Sequence, residues 1–175
     1  MAAWLLCSYR LPREPSRLRL AVWRRLKRLG AVMLHDGAWI LPSDTKTRED
    51  FEWLAEEVEE RGGSVLLWEA RSLPKGQDAE VIERFRAEAA DRLAAITDTA
   101  AKLGRVGTAR SSEREIDKAL QRLSALERTL RLERRRDYFG APGRADAEQA
   151  VRAAAELLRA RLARIQRRKT HVVGH

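Results

Sequence analysis

The sequence predicts an α+β fold, with a ferredoxin-like β-α-β-β-α-β domain over residues 1–75 and a helical extension containing a helix hairpin over residues 76–175. Three observations predict it. Up to Leu73, short apolar runs rich in aromatic and β-branched residues alternate with segments of helical period. Asp36-Gly37 separates two of those runs, a residue pair that suits a two-residue hairpin turn. Beyond Leu73-Pro74-Lys75-Gly76 the composition changes: no tryptophan follows, and Ala, Arg, Glu and Leu dominate.

Ala3 to Arg10 is short and mostly apolar, and reads as a buried strand. Pro12 and Pro15 interrupt it, and Pro15 suits the first turn of a helix, where a missing N–H costs nothing. From Ser16 to Leu29, Leu18, Val22, Leu26 and Leu29 recur at helical spacing, and Gly30 ends the segment. Ala31 to His35 and Ala38 to Pro42 are the two strands of the hairpin. Thr47-Arg48-Glu49-Asp50 is expected to be the capping box of a second helix. That helix has Phe51, Leu54, Ala55 and Val58 on its core face and stops at Gly62-Gly63. Ser64 to Ala70 is the fourth strand. Both helices are expected on one face of an antiparallel sheet, so the other face needs a cover or a partner.

The second half reads as three helices. Gln77 to Leu103 places Val81, Phe85, Leu93 and Ile96 on one side, and Gly104 and Gly107 are expected to break it. Ser111-Ser112-Glu113-Arg114-Glu115 opens the next, in which Ile116, Leu120, Leu123, Leu126 and Leu130 recur at three and four. Tyr138 to Gly143 is a turn, and Ala145 to about Lys169 is the last helix. The short turn predicts an antiparallel pair. Alternatively, the apolar seams pair with a second copy of the chain.

Net charge is +9, a field that favours polyanions. Its densest source is Arg10, Arg13, Arg17, Arg19, Arg24, Arg25, Lys27 and Arg28, which only Glu14 opposes. Arg17, Arg24 and Arg28 fall within about 40° of one another on a helix. Such a stripe, with Arg25 and Lys27 beside it, suits DNA phosphates, because guanidinium groups pair bidentately with phosphate oxygens. The competing reading is a solvated face salt-bridged to the acidic second helix, Glu49 to Glu60. Arg10, Arg13 and Arg17 flank the first helix's N-terminus, where free N–H groups favour a small oxyanion. Arg134-Arg135-Arg136 and Arg167-Arg168-Lys169 sit at two helix C-termini, where they complement the dipole or grip a DNA backbone.

The sequence offers little for catalysis. No Ser or Cys has an evident His/Asp arrangement, no glycine pattern marks a nucleotide site, and no Cys/His cluster has zinc spacing. The reading is therefore not an enzyme, with no catalytic residues, metal or cofactor. The single cysteine, Cys7, alternates within the first strand and is expected in the core. No apolar run approaches the roughly 20 residues that span a bilayer. No basic leader precedes the first apolar stretch, so no membrane and a cytoplasmic location are expected. Trp23 and Trp53 lie off the main apolar faces and are expected to meet the helical half or a second subunit. The open sheet face and three amphipathic helices predict a homodimer.

Trp4-Leu5-Leu6-Cys7-Ser8-Tyr9-Arg10-Leu11-Pro12, Ala21-Val22-Trp23-Arg24-Arg25-Leu26-Lys27-Arg28-Leu29-Gly30 and Asp36-Gly37-Ala38-Trp39-Ile40-Leu41-Pro42 together resemble the opening of the N-terminal domain of ChrB proteins. The likeness continues through Phe51 to Glu57, Leu67 to Arg71 and the turn Asp137 to Pro142. It implies a chromate-responsive transcriptional regulator, encoded with a chromate transporter, for which chromate is the oxyanion of interest. Many ChrB proteins carry a second, C-terminal domain, and the resemblance here is to the N-terminal one. The strand, arginine-rich helix and hairpin order is also similar to PaaX-type repressors and to the small CRISPR nucleases. In those nucleases an Asp closes the first strand and helps bind a metal. Here Arg10 stands in that place and would repel a cation, which argues against nuclease activity. The expectation is a DNA-associated, homodimeric regulator. The alternative is a non-catalytic dimerisation module without direct DNA binding.

Overall fold

The computed structural model describes residues 3–12 and 16–173. Four strands and two helices come first: β1 (Ala3–Arg10), α1 (Ser16–Leu29), β2 (Val32–His35), β3 (Ala38–Pro42), α2 (Thr45–Glu59) and β4 (Ser64–Arg71). Three helices follow: α3 (Gln77–Thr108), α4 (Glu113–Arg136) and α5 (Arg144–Val173). The fold is α+β, with the β-α-β-β-α-β order intact. Arg13 and Pro15, singled out above, lie outside the described residues. The chain forms two compact units, Met1–Arg86 and Ala87–His175, so the first turns of α3 belong with the sheet.

In the first unit the strands run β2-β3-β1-β4, every neighbour antiparallel. β1 and β3 are the two inner strands, each paired on both sides. Alternation sends Leu5 and Cys7 of β1 to one face, in register with Leu41 and Trp39 of β3. There they are buried with Leu18, Val22 and Leu26 of α1 and Phe51, Leu54 and Val58 of α2. Asp36-Gly37 makes the hairpin turn, with Gly37 at φ 75, a value that L side chains rarely adopt. A register shift between Met33 and His35 gives β2 a bulge next to that turn.

The opposite face, which needed a cover, receives the start of α3. Phe85 stacks on Trp4 with ring centroids 6.0 Å apart, and Trp4 Nε1 donates to Asp78 Oδ1 at 2.8 Å. Val81 and Phe85 are buried there, and Arg84 donates to the Met33 carbonyl.

Two local expectations are corrected. The cap of α2 is Asp44, not Thr47. Asp44 Oδ1 accepts from the Thr47 N–H at 2.8 Å, and Thr47 Oγ1 accepts from the Asp44 N–H at 3.0 Å. Thr47 is thus the third residue of the helix. Its buried hydroxyl also donates to the Pro42 carbonyl at 2.6 Å, which fixes the strand-to-helix junction. In the second unit, α3 runs through Gly104 and Gly107 to Thr108 instead of breaking. A Cβ at Gly107 would lie 2.7 Å from the Leu157 carbonyl carbon of α5. The glycine lets two backbones meet, and that packing outweighs its poor helix propensity of about 1 kcal/mol.

The helical core gathers Leu93, Ile96 and Ala100 of α3, Ile116 and Leu123 of α4, and Val151 and Leu158 of α5. α4 opens within the expected stretch, with Ser112 as its cap in a reciprocal box with Glu115. α4 and α5 are antiparallel: Arg134 meets Glu148 at 3.4 Å near the turn, and Lys169 pairs with Glu113 at the far end. Asp137 closes the turn by accepting from the Ala141 N–H at 2.8 Å.

Candidate nucleic-acid interface

α1 builds the candidate interface by division of its faces. Leu18, Val22 and Leu26 point into the sheet core. Arg17, Arg24 and Arg28 come together on the exposed side. Arg17 and Arg24 make no ion pair with another described residue. α1 has no acidic residue in its own sequence to neutralise them. The two flanking members of the cluster are engaged elsewhere. Arg25 reaches α2 and pairs with Glu57 at 3.0 Å, as the salt-bridge reading expects, and Glu57 also holds Arg61 at 3.1 Å. Lys27 turns the other way and lies over the Trp39 ring, 5.5 Å from its centroid. Of the oxyanion trio, Arg10 ends β1 and is exposed, Arg17 is exposed in the first turn of α1, and Arg13 lies outside the described residues.

Four arginines of the helical unit, Arg92, Arg134, Arg136 and Arg144, are placed differently. Glu133 is 3% exposed and accepts from Arg92 Nε at 2.8 Å and Arg136 Nε at 2.8 Å. Burial by itself would raise the Glu133 pKa, but the hydrogen bonds and charges of Arg136 and Arg92 reverse this and hold it below the usual carboxylate range. Arg134 and Arg144 both approach Glu148, at 3.4 and 3.5 Å. Of the Arg134-Arg135-Arg136 run, Arg134 thus reaches α5, Arg136 binds Glu133 of its own helix, and Arg135 is exposed.

Among the described residues, no group of three or more His, Cys, Asp or Glu side chains is arranged to hold a metal ion, and no helix is long and apolar enough to cross a membrane. His35 and Asp36 are exposed on the hairpin. Cys7 is fully buried, and burial pushes its thiol up to about 12.

The family model described as "Protein ChrB, N-terminal" matches residues 19–171. The chain belongs to the ChrB N-terminal family. Protein ChrB of Cupriavidus metallidurans is 36% identical over 78 residues. That match covers 45% of this chain and 24% of the relative, so the chain spans about a quarter of the relative it matches. No solved structure matches the chain. The ChrB N-terminal match takes in both units, including the Arg17-to-Arg28 helix from Arg19 onward and the Asp137-to-Gly143 turn.

Sequence reasoning found the arginine stripe but missed two features of this ChrB-family chain. One is the free side of β4, where Leu66 and Trp68 are 60% and 58% exposed. The signal was available: Ser64 to Arg71 has no clean apolar alternation, as befits a sheet edge. The other is a cavity beside α1, lined in part by Arg19 and Trp23. Its hint was the four-residue spacing of Arg19, Trp23 and Lys27, a helix face that is neither core nor stripe.

Proposed function

We propose that this chain is a DNA-associated regulatory protein of chromate resistance, acting in the cytoplasm, with α1 laid against the phosphate backbone. The observation that carries this reading is that Arg17, Arg24 and Arg28 are exposed on one face of α1, and that Arg17 and Arg24 make no ion pair with a described residue. Family membership supports the link to chromate, and the net charge of +9 supports a polyanionic partner. The test is fluorescence anisotropy of a labelled duplex across a salt series. Each phosphate contact contributes roughly 0.9 to the slope of log affinity against log salt. The Arg17→Ala/Arg24→Ala/Arg28→Ala variant should bind all duplexes more weakly and with a slope shallower by about two to three units. A folded triple variant with unchanged affinity and slope sinks the assignment.

A second reading, a dimerisation module without direct DNA binding, is favoured by β4. It is the edge strand, and its outer hydrogen-bonding side faces no other strand of the sheet. Antiparallel pairing with a second copy about Leu67 sets Leu66 opposite the partner's Trp68 and Val65 opposite the partner's Glu69. Apolar side chains thus meet at the axis and no like charges face each other. Sedimentation should show a dimer at micromolar concentration that Trp68→Lys dissociates. A wild-type chain that stays monomeric contradicts the pairing, and a dimer without salt-dependent DNA binding selects this reading over the first.

A further inference from the structure

The sheet unit holds a cavity that the arginine stripe does not use. It measures about 540 Å³ and lies between α1, the end of β1 and the β2–β3 hairpin. α1 lines it with Arg19, Leu20 and Trp23, β1 with Tyr9, and the hairpin with Met33 and Trp39. Leu20, Trp23 and Met33 are exposed, so the cavity opens to solvent through an apolar mouth. Its inner wall is the Trp39 indole, which is completely buried.

The Trp39 Nε1–H is buried and has no hydrogen-bond partner among the described residues. Buried donors are almost always satisfied, by protein or by water, so this N–H on a cavity wall is a donor that a ligand's acceptor would take over. The Tyr9 phenol lies near this N–H without hydrogen-bond geometry. Burial raises the Tyr9 pKa, while the Trp39 indole N–H, as the neighbouring donor, and the charge of Arg19 oppose the rise. Arg19 makes no ion pair with a described residue, so its guanidinium is available at the same wall. One carboxylate, Asp36, also lines the cavity. It would repel a second negative charge on a ligand, and the apolar walls would not repay the dehydration of a compact dianion.

We infer that this cavity binds a small planar monoanion with an apolar ring system, of the aromatic carboxylate or sulfonate class. The rings lie against Trp23, Leu20 and Met33, and the acid oxygens accept from Trp39 Nε1–H and Arg19. The site makes no use of Arg17, Arg24 or Arg28, so it stands independently of DNA binding.

The probe is 8-anilinonaphthalene-1-sulfonate, titrated into the ¹⁵N-labelled full chain while its fluorescence and the tryptophan indole N–H resonances are followed. Saturable one-to-one binding is expected, with the Trp39 indole proton moving downfield as it gains an acceptor. Arg19→Ala should weaken binding about tenfold or more, the scale of a lost charge-assisted hydrogen bond. Met33→Trp, a change at an exposed edge-strand position, should fill the cavity and abolish binding. The neutral N-phenyl-1-naphthylamine should bind about tenfold more weakly than the sulfonate. Equal binding of the two probes overturns the anion assignment. Probe binding that survives both substitutions, with the Trp39 resonance unmoved, places the probe on other exposed side chains such as Trp53 or Trp68 and overturns the site.

Discussion

Both units are rich in arginine, and a group of four in the helical unit is placed in the opposite way to the group on α1. In the helical unit the buried carboxylate of Glu133 collects Arg92 and Arg136, and Glu148 collects Arg134 and Arg144. On α1 of the sheet unit Arg25 reaches a carboxylate, Glu57, while Arg17 and Arg24 face water. The difference shows that the number of arginines does not fix the field a protein presents. A carboxylate carried into an interior must be paired, because an isolated buried charge is costly, and each pairing removes positive charge from the surface. α1 carries no such carboxylate, so the charge of Arg17 and Arg24 projects outward and acts at a distance set by salt.

The sharpest way to break this comparison is to remove the buried acceptor. Glu133→Ala leaves two guanidinium groups partly buried without their counter-charge and should cost about 3–5 kcal/mol in urea denaturation of the helical unit. A loss below about 1 kcal/mol would show that the network is ornamental. The same carboxylate makes an acid prediction. Its folded pKa lies below the unfolded value, so its contribution is complete above the usual carboxylate range and is lost as pH falls through the folded pKa. Glu133→Gln should therefore flatten the acid limb of stability below about pH 4.5, with the midpoint followed by circular dichroism.

A smaller effect is expected from Gly107→Ala, which sets a methyl group against the α5 backbone at Leu157. It should destabilise by about 1–3 kcal/mol, although alanine is the better helix former. A stabilised variant would mean that α3 and α5 do not approach so closely. The smallest effect belongs to the stripe. Replacing Arg17, Arg24 and Arg28 together should move stability by no more than about 0.5 kcal/mol per site in thermal melts, since none touches the core. A large loss would show that these side chains hold the fold and would blur the contrast between the units.

Much of the fold was legible because each element carries its own punctuation. Asp36-Gly37 and Gly62-Gly63 mark their boundaries within a few residues, and the Leu18, Val22, Leu26 spacing fixes the buried face of α1. The exposed grouping of Arg17, Arg24 and Arg28 followed from the same period. What was not legible depends on partners distant in sequence. Gly107 reads as a helix breaker until Leu157 of α5 is seen against it. Lys27 and Arg25 belong to the basic cluster by sequence, but Trp39 and Glu57 draw them out of it. Thr47 looked like a cap because its hydroxyl is a capping group, and only its burial beneath Pro42 shows that Asp44 takes that role. The cavity needs Tyr9, Arg19 and Trp39 from three elements, so no local pattern announces it.

The burial of Cys7 has a practical side. It is the chain's single cysteine, completely covered in the central strand, with its thiol pushed up to about 12. At neutral pH almost none of it is thiolate, the form that reacts with maleimides and other electrophiles. A cysteine introduced at an exposed point of α1 would therefore be the one thiol that labels in the folded chain, with the native residue left in place. A dye fixed there would report the approach of DNA to that helix, and any labelling of Cys7 would time the opening of the sheet.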